Sequence, residues 1–302
     1  MVDGTRYLVV TADDFGIGPA TTQGILDLAA EGLVTCTVLL VNSPYAPDAV
    51  AAWKSSGRRL ELGWHPCLTL DRPILPASEV PTLVRPDGTF WPLGRFIRRL
   101  LRGAIHSEEI RLELTAQCQR FTKLVGHAPT TVNSHHHVQV FPPVGRILLD
   151  VLSECRPRPY VRRIAEPWSM LAVIPGARMK RILLSSLGKR NASEQANLGF
   201  PGNDRLVGIT DPPCVKDPAF LKRWLSRVPG NVVELTCHPG RQDETLLGRD
   251  ATQADGQMQR RVDEFTLLSD PGFREVCRQA HFTRISPREW LESSRIGATH
   301  AA

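Results

Sequence analysis

Short runs of apolar, β-branched residues recur along the chain, separated by longer segments with helical periodicity. The runs that predict strands are 7–12, 34–41, 60–65, 130–134, 159–164, 206–210, 231–237 and 282–285. Between them, Pro19 stands at a first-turn position ahead of Ile25, and Ser107 precedes the apolar Ile110. Eight strands alternating with helices predict an α/β fold that closes, or nearly closes, into a (β/α) barrel, with an open doubly wound sheet as the alternative.

Two segments interrupt this alternation. Residues 66–94 are rich in proline and glycine, which predicts a long ordered loop. Residues 166–204 contain a basic, partly apolar stretch from Arg178 to Arg190 and then a polar run. We expect both insertions to form walls or lids over a site. The length fits one domain, predicted over 1–291 with these inserted loops, and 292–302 are expected to form a flexible tail.

Composition narrows the class of protein. Hydrophobic residues make up 42% of the chain and charged residues 23%, which excludes disordered and fibrous classes. The net charge is +6, but Lys and Arg are scattered, so nucleic-acid binding is not expected. No stretch is long enough to cross a bilayer. The basic stretch 178–190 favours a solvated helix face, and peripheral contact with a membrane surface is the alternative.

The cysteine pattern indicates a reducing environment. Seven cysteines are spread along the chain without a CxxC pair, which predicts neither a disulfide framework nor a zinc knuckle. The first residues enter a strand-like run without a basic and apolar signal segment, so a cytoplasmic location is expected. The sequence leaves a homodimer open.

Polar clusters stand at the ends of predicted strands, where α/β barrels place their active sites. Asp13 and Asp14 follow the first strand, where one carboxylate can bind a cation while the other faces a substrate; an Asx turn with a helix-capping Asp is the alternative. His65 ends strand 60–65, and alone it would be interpreted as structural. Cys67 can approach the same site, although a buried free thiol is the expected role.

A run of three histidines follows strand 130–134. Imidazole is the commonest side-chain metal ligand near neutral pH, so His135, His136 and His137 predict a metal site, with a polar loop as the alternative. In an extended backbone His135 and His137 share one face and His136 points away. His238 follows strand 231–237, from which it can act as a general acid or base.

One Asp and two His would leave open positions on a divalent ion, which suits polarisation of a carbonyl and activation of water. Zinc and magnesium are the first candidates for this single ion, and manganese and cobalt are alternatives.

Four motifs in this order resemble the ChbG/YdjC-type carbohydrate deacetylases, a family that includes the hopanoid-associated HpnK proteins. The matching segments are TADDFG (11–16), GWHPCLT (63–69), NSHHHVQVFP (133–142) and LTCHPG (235–240). The resemblance implies a distorted (β/α) barrel. It also implies a metal-dependent hydrolase that removes the acetyl group from an N-acetylated amino sugar, such as a chito-oligosaccharide or an N-acetylglucosamine-containing glycan or glycolipid.

The resemblance also implies roles for individual residues. Asp14, His65 and His135 would hold the metal. Asp13 would be the base that takes a proton from the attacking water, and His238 would protonate the departing amine.

The chain departs from the family pattern at three positions. Family members often carry Asp at the position of Asn133 and His at that of Gln139, and the hopanoid-associated subgroup commonly carries Lys where this chain has His136. These differences put the identity of the sugar in doubt. Four further residues are candidates for substrate contact or for support of the metal ligands: His137, Asn133, Cys67 and Arg241.

Two other functions fit the same residues. A metal-dependent phosphoesterase also uses Asp and His ligands, often around two metals bridged by a carboxylate. A non-catalytic carbohydrate-binding protein would keep the fold without the reaction, although it would not need both Asp13 and His238.

Overall fold

The computed structural model describes residues 6–299, with side chains up to residue 294. Its eight strands are β1 (Arg6–Phe15), β2 (Cys36–Leu39), β3 (Glu61–Trp64), β4 (Thr131–Val132), β5 (Tyr160–Val161), β6 (Arg205–Val207), β7 (Val232–Cys237) and β8 (Phe282–Arg284). The helices are α1 (Pro19–Ala30), α2 (Ala46–Ser55), α3 (Leu93–Leu101), α4 (Ser107–Val125), α5 (Val144–Leu152), α6 (Trp168–Val173), α7 (Arg178–Asn197), α8 (Phe220–Leu225), α9 (Gln257–Ser269), α10 (Pro271–Gln279) and α11 (Pro287–Thr299). Each predicted strand is present, and the helices predicted at Pro19 and Ser107 begin at those residues.

The strands form one parallel, curled sheet, which confirms the distorted barrel. The strand order is β5-β4-β3-β2-β1-β7-β6, and β8 pairs with the start of β1. Because Tyr7 pairs with both Val232 and Thr283, β8 lies on the opposite side of β1 from β7. A regular barrel would place β8 between β7 and β1. Here β1 instead pairs directly with β7 over six residues, and this gives the barrel its distortion.

The barrel has a seam between β5 and β6. No strand ladder joins these two strands within residues 6–299. The Asn203 side chain bridges the seam, since it accepts a hydrogen bond from Arg163 N (2.8 Å) and donates to Arg163 O (2.9 Å). Leu206 N adds a bond to Ala165 O (3.3 Å). Backbone groups that a closed ladder would pair therefore find partners in a loop, as buried amides must.

The loop 66–94 is ordered because α4 supplies buried polar anchors. Glu113 accepts from Ile74 N (2.9 Å) and Leu75 N (3.1 Å). Gln117 donates to Cys67 O (2.7 Å) and accepts from Cys67 N (3.0 Å). These side chains replace the backbone partners that a loop lacks, so the predicted ordered loop is present.

The chain after residue 284 is largely helical. Helix α11 runs from Pro287 to Thr299 and crosses the boundary predicted at residue 291. Residues 300–302, the end of the predicted tail, lie outside the described residues. The single domain over 1–291 and the flexibility of the tail stay predictions.

Gly63 in β3 is held at close range to β4, two residues before His65. A Cβ at this position would lie 2.4 Å from Thr131 O, a backbone atom that cannot move without shifting the strand. We therefore expect Gly63→Ala to lower the free energy of unfolding by about 2–4 kcal/mol, as overpacking of a core does.

Urea denaturation measures this difference, and Gly94→Ala in α3 is the matched control. A Cβ there would meet no atom within 4 Å, so the control should unfold at the wild-type urea concentration or slightly above it. Equal midpoints for both variants would contradict the close approach of β3 and β4.

Candidate functional site

A cavity of about 300 Å³ opens at the carboxyl ends of the strands. Seven side chains that the sequence singled out line it: Asp13, Asp14, His65, His135, His136, His137 and His238. A larger cavity, of about 580 Å³, lies beside α8, α9 and α10, but no histidine lines it. The candidate metal-binding and catalytic residues therefore lie together at the mouth of the barrel.

Asp14 occupies the centre of the histidine cluster. Its backbone has a φ of 66°, and the pairing of β1 with β2 shifts register between Ala12 and Phe15. A left-handed Asp at a bulge redirects a side chain, and both Asp13 and Asp14 face the cavity. Asp14 Oδ1 lies 2.9 Å from His135 Nδ1 and 3.2 Å from His65 Nε2.

The hydrogen bonds of His65 suit a cation at this point. His65 Nδ1 lies 2.7 Å from the carbonyl oxygen of Asn133, which can only accept, so Nδ1 carries the proton. In a neutral His65 the lone pair of Nε2 would face Asp14 Oδ1 at 3.2 Å, and a cation between these two acceptors would satisfy both. Metal-bound histidines commonly donate their second nitrogen to a carbonyl in this way.

The spacing of the three side chains also suits one ion. One potential ligand atom from each of Asp14, His65 and His135 lies within 4.8 Å of the other two, and all three residues are buried. Neighbouring ligands on a single zinc or magnesium ion stand about 3 Å apart. The residues therefore fit the metal that the sequence analysis expects.

The charge balance around Asp14 includes a guanidinium. Arg261 donates to Asp14 Oδ2 (2.7 Å) and to Asp250 Oδ2 (2.8 Å). Burial alone would raise the pKa of Asp14, but Arg261 and His135 outweigh it and hold the pKa well below its ordinary value. Asp14 is therefore an ionised carboxylate, the form in which it can bind a cation.

The three consecutive histidines do not follow the extended geometry that we expected. They begin a 3₁₀ segment, His135–Val140, in which His136 and His137 have φ values of 53° and 56°. This turn stacks the His136 ring on the His135 ring at a centroid distance of 3.9 Å, so the prediction that His136 points away was wrong. The side chains do not alternate between two faces here, because the strand ends at Val132.

A second group of potential ligands adjoins the first. His135, His136 and Asp250 also offer ligand atoms within 4.8 Å of one another. Among the described residues His135 Nε2 has no hydrogen-bond partner, and it lies 3.7 Å from Asp250 Oδ1. His136 Nδ1 lies 2.9 Å from Thr69 Oγ1, which links the turn to the loop 66–94.

Asp13 is held by partners on three strands or strand ends. Arg162 donates to both of its oxygens (2.6 and 2.8 Å), Thr236 Oγ1 donates to Oδ2 (3.0 Å), and Asn133 Nδ2 approaches Oδ1 (3.4 Å). Burial raises the pKa of Asp13, but Arg162 outweighs burial and the net pKa lies below its ordinary value. Asp13 therefore stays ionised at neutral pH.

Arg162 is fully buried and has a second anion on its other side. Its Nε donates to Glu234 Oε1 (2.8 Å), and Tyr160 Oη donates to Glu234 Oε2 (3.2 Å). Thr11 Oγ1 also donates to Glu234 Oε1 (2.9 Å). A bidentate guanidinium fixes both the plane and the position of the Asp13 carboxylate.

His238 lies across the cavity mouth from the histidine turn. Its side chain is 26% exposed, and Nε2 is 3.9 Å from Asp13 Oδ2. Its backbone N–H donates to Glu264, and its Nδ1 is 3.4 Å from Arg260 Nη2. Burial, followed by Arg260, lowers the pKa of His238 well below its ordinary value, so the imidazole is neutral at neutral pH.

The remaining candidates from the sequence occupy different surroundings. His137 lines the cavity, and its Nδ1 has no hydrogen-bond partner in the part of the chain that the structure describes. Asn133 touches Asp13 and His65. Cys67 is buried in an apolar cluster with Ile17 and Leu70, and burial raises the pKa of its thiol to about 12. Arg241 does not line the cavity and pairs with Asp27 (2.6 Å) on α1.

Sequence reasoning missed several charged residues of the site: Arg162, Glu234, Asp250, Arg260 and Arg261. A signal existed for two of them, because a charged side chain inside an apolar predicted strand must be paired when buried. Arg162 and Glu234 stand in the predicted strands 159–164 and 231–237. No comparable signal marks the other three, which come from α9 and the loop before it.

Gln139, at the position where the family often has His, supports the histidine turn from behind. Its Oε1 accepts from Ser134 N (2.9 Å), and its Nε2 donates to Arg162 O (3.3 Å). The amide therefore joins the turn to the end of β5.

Comparisons with known proteins identify relatives that cover much of this chain. A chitooligosaccharide deacetylase of Klebsiella pneumoniae (strain 342) is 31% identical over 246 residues, 80% of this chain and 85% of that protein. A chitooligosaccharide deacetylase of Escherichia fergusonii is 39% identical over 150 residues, and that match spans 49% of this chain and 56% of the relative.

A solved structure from Enterococcus faecalis V583, of a protein provisionally named for cellobiose-phosphate cleavage, superposes with a TM-score of 0.72 at 26% identity, covering 94% of this chain and 98% of that one. The model of the family described as YdjC-like protein matches residues 7–279. Because this match covers most of the chain, the chain belongs to the YdjC-like protein family.

Proposed function

We propose that this chain hydrolyses the acetamido group of an N-acetylated amino sugar, with chito-oligosaccharides as the first candidates, and that it uses one divalent metal ion. The proposal is carried by one observation: Asp14, His65 and His135 form a ligand-competent cluster with Asp13 and His238 in the same cavity. The relatives named chitooligosaccharide deacetylase support the substrate class.

Asp14, His65 and His135 would hold the ion. When bound, a divalent metal supplies Lewis-acid polarisation of the amide carbonyl and lowers the pKa of a water molecule. Zinc and magnesium stay the first candidates, since imidazole ligands suit zinc and a carboxylate suits magnesium. A cytoplasmic location and a homodimer stay predictions.

The two groups beside the cluster have complementary roles in amide hydrolysis. Water oxygen bonds to the carbonyl carbon while Asp13 accepts the water proton, and the C–N bond then breaks to release acetate and a free amine. Arg162 keeps Asp13 ionised and oriented, at the cost of a lower basicity.

The departing nitrogen needs a proton, and His238 is the candidate donor. In the resting structure this imidazole is neutral, so it must first acquire a proton. Asp13 Oδ2 is 3.9 Å from His238 Nε2, a separation that a small movement closes to hydrogen-bonding distance. The proton taken from water by Asp13 can thus reach the leaving group through His238.

The phosphoesterase alternative has less support. Two-metal phosphoesterases commonly share a carboxylate between the ions. In the described part of the chain, the two groups of potential ligands share His135 and no carboxylate.

The reaction itself can be tested by acetate release. We expect the protein loaded with zinc or magnesium to release acetate from chito-oligosaccharides, measured by a coupled acetate assay, and to leave a free amine detectable by mass spectrometry. Other N-acetylated amino sugars serve as a specificity panel. The deacetylase proposal fails if no member of the panel, chito-oligosaccharides included, yields acetate, and phosphate release from phosphorylated sugars would favour the phosphoesterase.

The metal cluster can be tested by removing one ligand. We expect His65→Ala to weaken zinc binding by about 100-fold or more in isothermal titration calorimetry, because one of three ligands is lost. His106→Ala is the matched control, since His106 is exposed and pairs with Glu109 on α4. If both variants bind zinc as the wild type does, the cluster is not the metal site.

The proposed base can be tested by an isosteric change. We expect Asp13→Asn to lower kcat by about 10² to 10⁴-fold, as loss of a positioned base does, while zinc affinity stays within a few-fold of wild type. Because the change leaves Arg162 with only one of its two charge partners, thermal unfolding is measured in parallel.

Thr236→Val provides the control for the proposed base. It removes one hydrogen bond to Asp13 but keeps the carboxylate, so kcat should fall by less than about tenfold. An Asp13→Asn protein that is folded, binds zinc and keeps wild-type kcat would show that Asp13 is not the base.

A further inference from the structure

A group of large apolar side chains is exposed beside the cavity mouth. Across the described residues, six large hydrophobic side chains are exposed, and four of them lie between residues 168 and 183. These four are Trp168 (61% exposed), Val173 (58%), Met179 (79%) and Leu183 (53%). Single exposed apolar residues are ordinary, but a cluster on one insertion indicates an interaction surface.

Helix α7 is firmly packed on its opposite face. Arg181 is fully buried and pairs with Glu166, its Nε donating to Oε2 (2.9 Å). Leu184 is also buried, in an apolar cluster with Ile164 and Ile209. The outer positions Met179 and Leu183 are four residues apart and therefore lie on one stripe of the helix. Because the opposite face of α7 is buried, the side chains of Met179 and Leu183 point to solvent.

The neighbouring helix α3 adds positive charge to the same region. Ile97 and Leu100 of α3 pack against the same apolar cluster as Leu184, which brings α3 beside α7. Neither segment 93–105 nor segment 167–193 contains an Asp or a Glu. The exposed cations of the two segments are Arg95, Arg98, Arg102, Arg178, Lys180, Lys189 and Arg190. We call the exposed faces of α3, α6 and α7 the basic apolar lip.

Trp168, an apolar residue of this lip, lies beside one of its basic residues. Lys189 Nζ lies 5.5 Å from the centroid of the Trp168 ring, so a cation and an aromatic plane share one site on the surface. Tryptophan favours the boundary between water and lipid, because its ring is apolar and its N–H is polar.

The basic apolar lip borders the cavity directly. Leu93 of α3 and Lys180 of α7 line it, together with His136 and His137. A surface that binds the lip therefore lies next to the mouth of the proposed active site.

We propose that the basic apolar lip docks on an anionic lipid surface. Exposed apolar side chains among basic residues, with no acidic residue in segment 93–105 or segment 167–193, are the pattern of peripheral membrane helices. A second copy of this chain fits less well, since two such lips would oppose like charges. Among the helices of residues 6–299, none has the length and apolar character that crossing a bilayer requires.

Vesicle co-sedimentation tests this surface. We expect the full chain to bind phosphatidylcholine vesicles that contain phosphatidylglycerol, to bind pure phosphatidylcholine vesicles less, and to dissociate at high salt. The double variant Met179→Glu/Leu183→Glu should lower the vesicle affinity by at least about tenfold, because it removes apolar contact and adds negative charge.

Leu112→Glu on α4 is the matched control, since it places the same charge on an exposed leucine outside the lip. This control should bind vesicles as the wild type does. Acetate release from a dissolved chito-oligosaccharide should be unchanged in the double variant, because neither Met179 nor Leu183 lines the cavity. Vesicle binding does not require the reaction, so a failed deacetylase assay would not contradict membrane docking. A failed vesicle assay would likewise not contradict the deacetylase proposal.

Three results would overturn the proposal. The first is no binding to either kind of vesicle, and the second is binding that the double variant leaves unchanged. The third is a wild-type dimer in analytical ultracentrifugation that the double variant converts to monomer, which would assign the lip to a second copy of this chain.

Discussion

The buried guanidinium of Arg162 connects the two halves of this barrel. It donates to Asp13 at the end of β1 and to Glu234 in β7, while its own backbone follows β5. These strands lie on opposite sides of the seam at which β5 and β6 are not paired. The ion network therefore crosses the barrel interior at the level where the sheet lacks a ladder, and it joins strands that the sheet alone does not join there.

Burying such a network opposes folding, and removing one of its charges would destabilise the folded protein. Removing charges from water opposes folding, and only complete pairing offsets that cost. Here both carboxylates have hydroxyl donors as well: Thr236 for Asp13, and Thr11 with Tyr160 for Glu234. The completeness of this pairing fixes Asp13 in one orientation. A fixed Asp13 leaves the adjacent Asp14, turned by the bulge, as the carboxylate that meets His65 and His135.

Local patterns in the sequence predicted the elements because their causes are local. Apolar runs of the right length predicted all eight strands, and strand ends in a parallel barrel meet at one rim, so Asp14, His65 and His135 converge as expected. The turn at His136 and His137 could not be predicted in this way. Its left-handed residues stand beside Gln139, which bonds across to the end of β5, and periodicity carries no information about such contacts.

The hydrophobic pattern of the sequence also could not predict the order of the strands in the sheet. Eight βα units do not reveal that β8 pairs beside the start of β1 and that β7 takes the place next to β1. The partners of Asp14 illustrate the same limit, because Arg261 lies 247 residues further along the chain. A charged residue on an amphipathic helix is typical of a solvated face, and only the folded barrel shows that this one is buried.

The position of Arg261 bears on the strength of metal binding at the site. It occupies Asp14 Oδ2 while the histidines face Oδ1, so a cation at Oδ1 would share the carboxylate with a fixed positive charge. That charge alone would weaken cation binding. Asp250 accepts from the same guanidinium nitrogen and partly neutralises it. Since Asp250 also lies 3.7 Å from His135 Nε2, it adds negative charge on the far side of the cluster. Asp14 and Asp250 together therefore outnumber the one guanidinium that they share, which offsets the weakening of cation binding by Arg261.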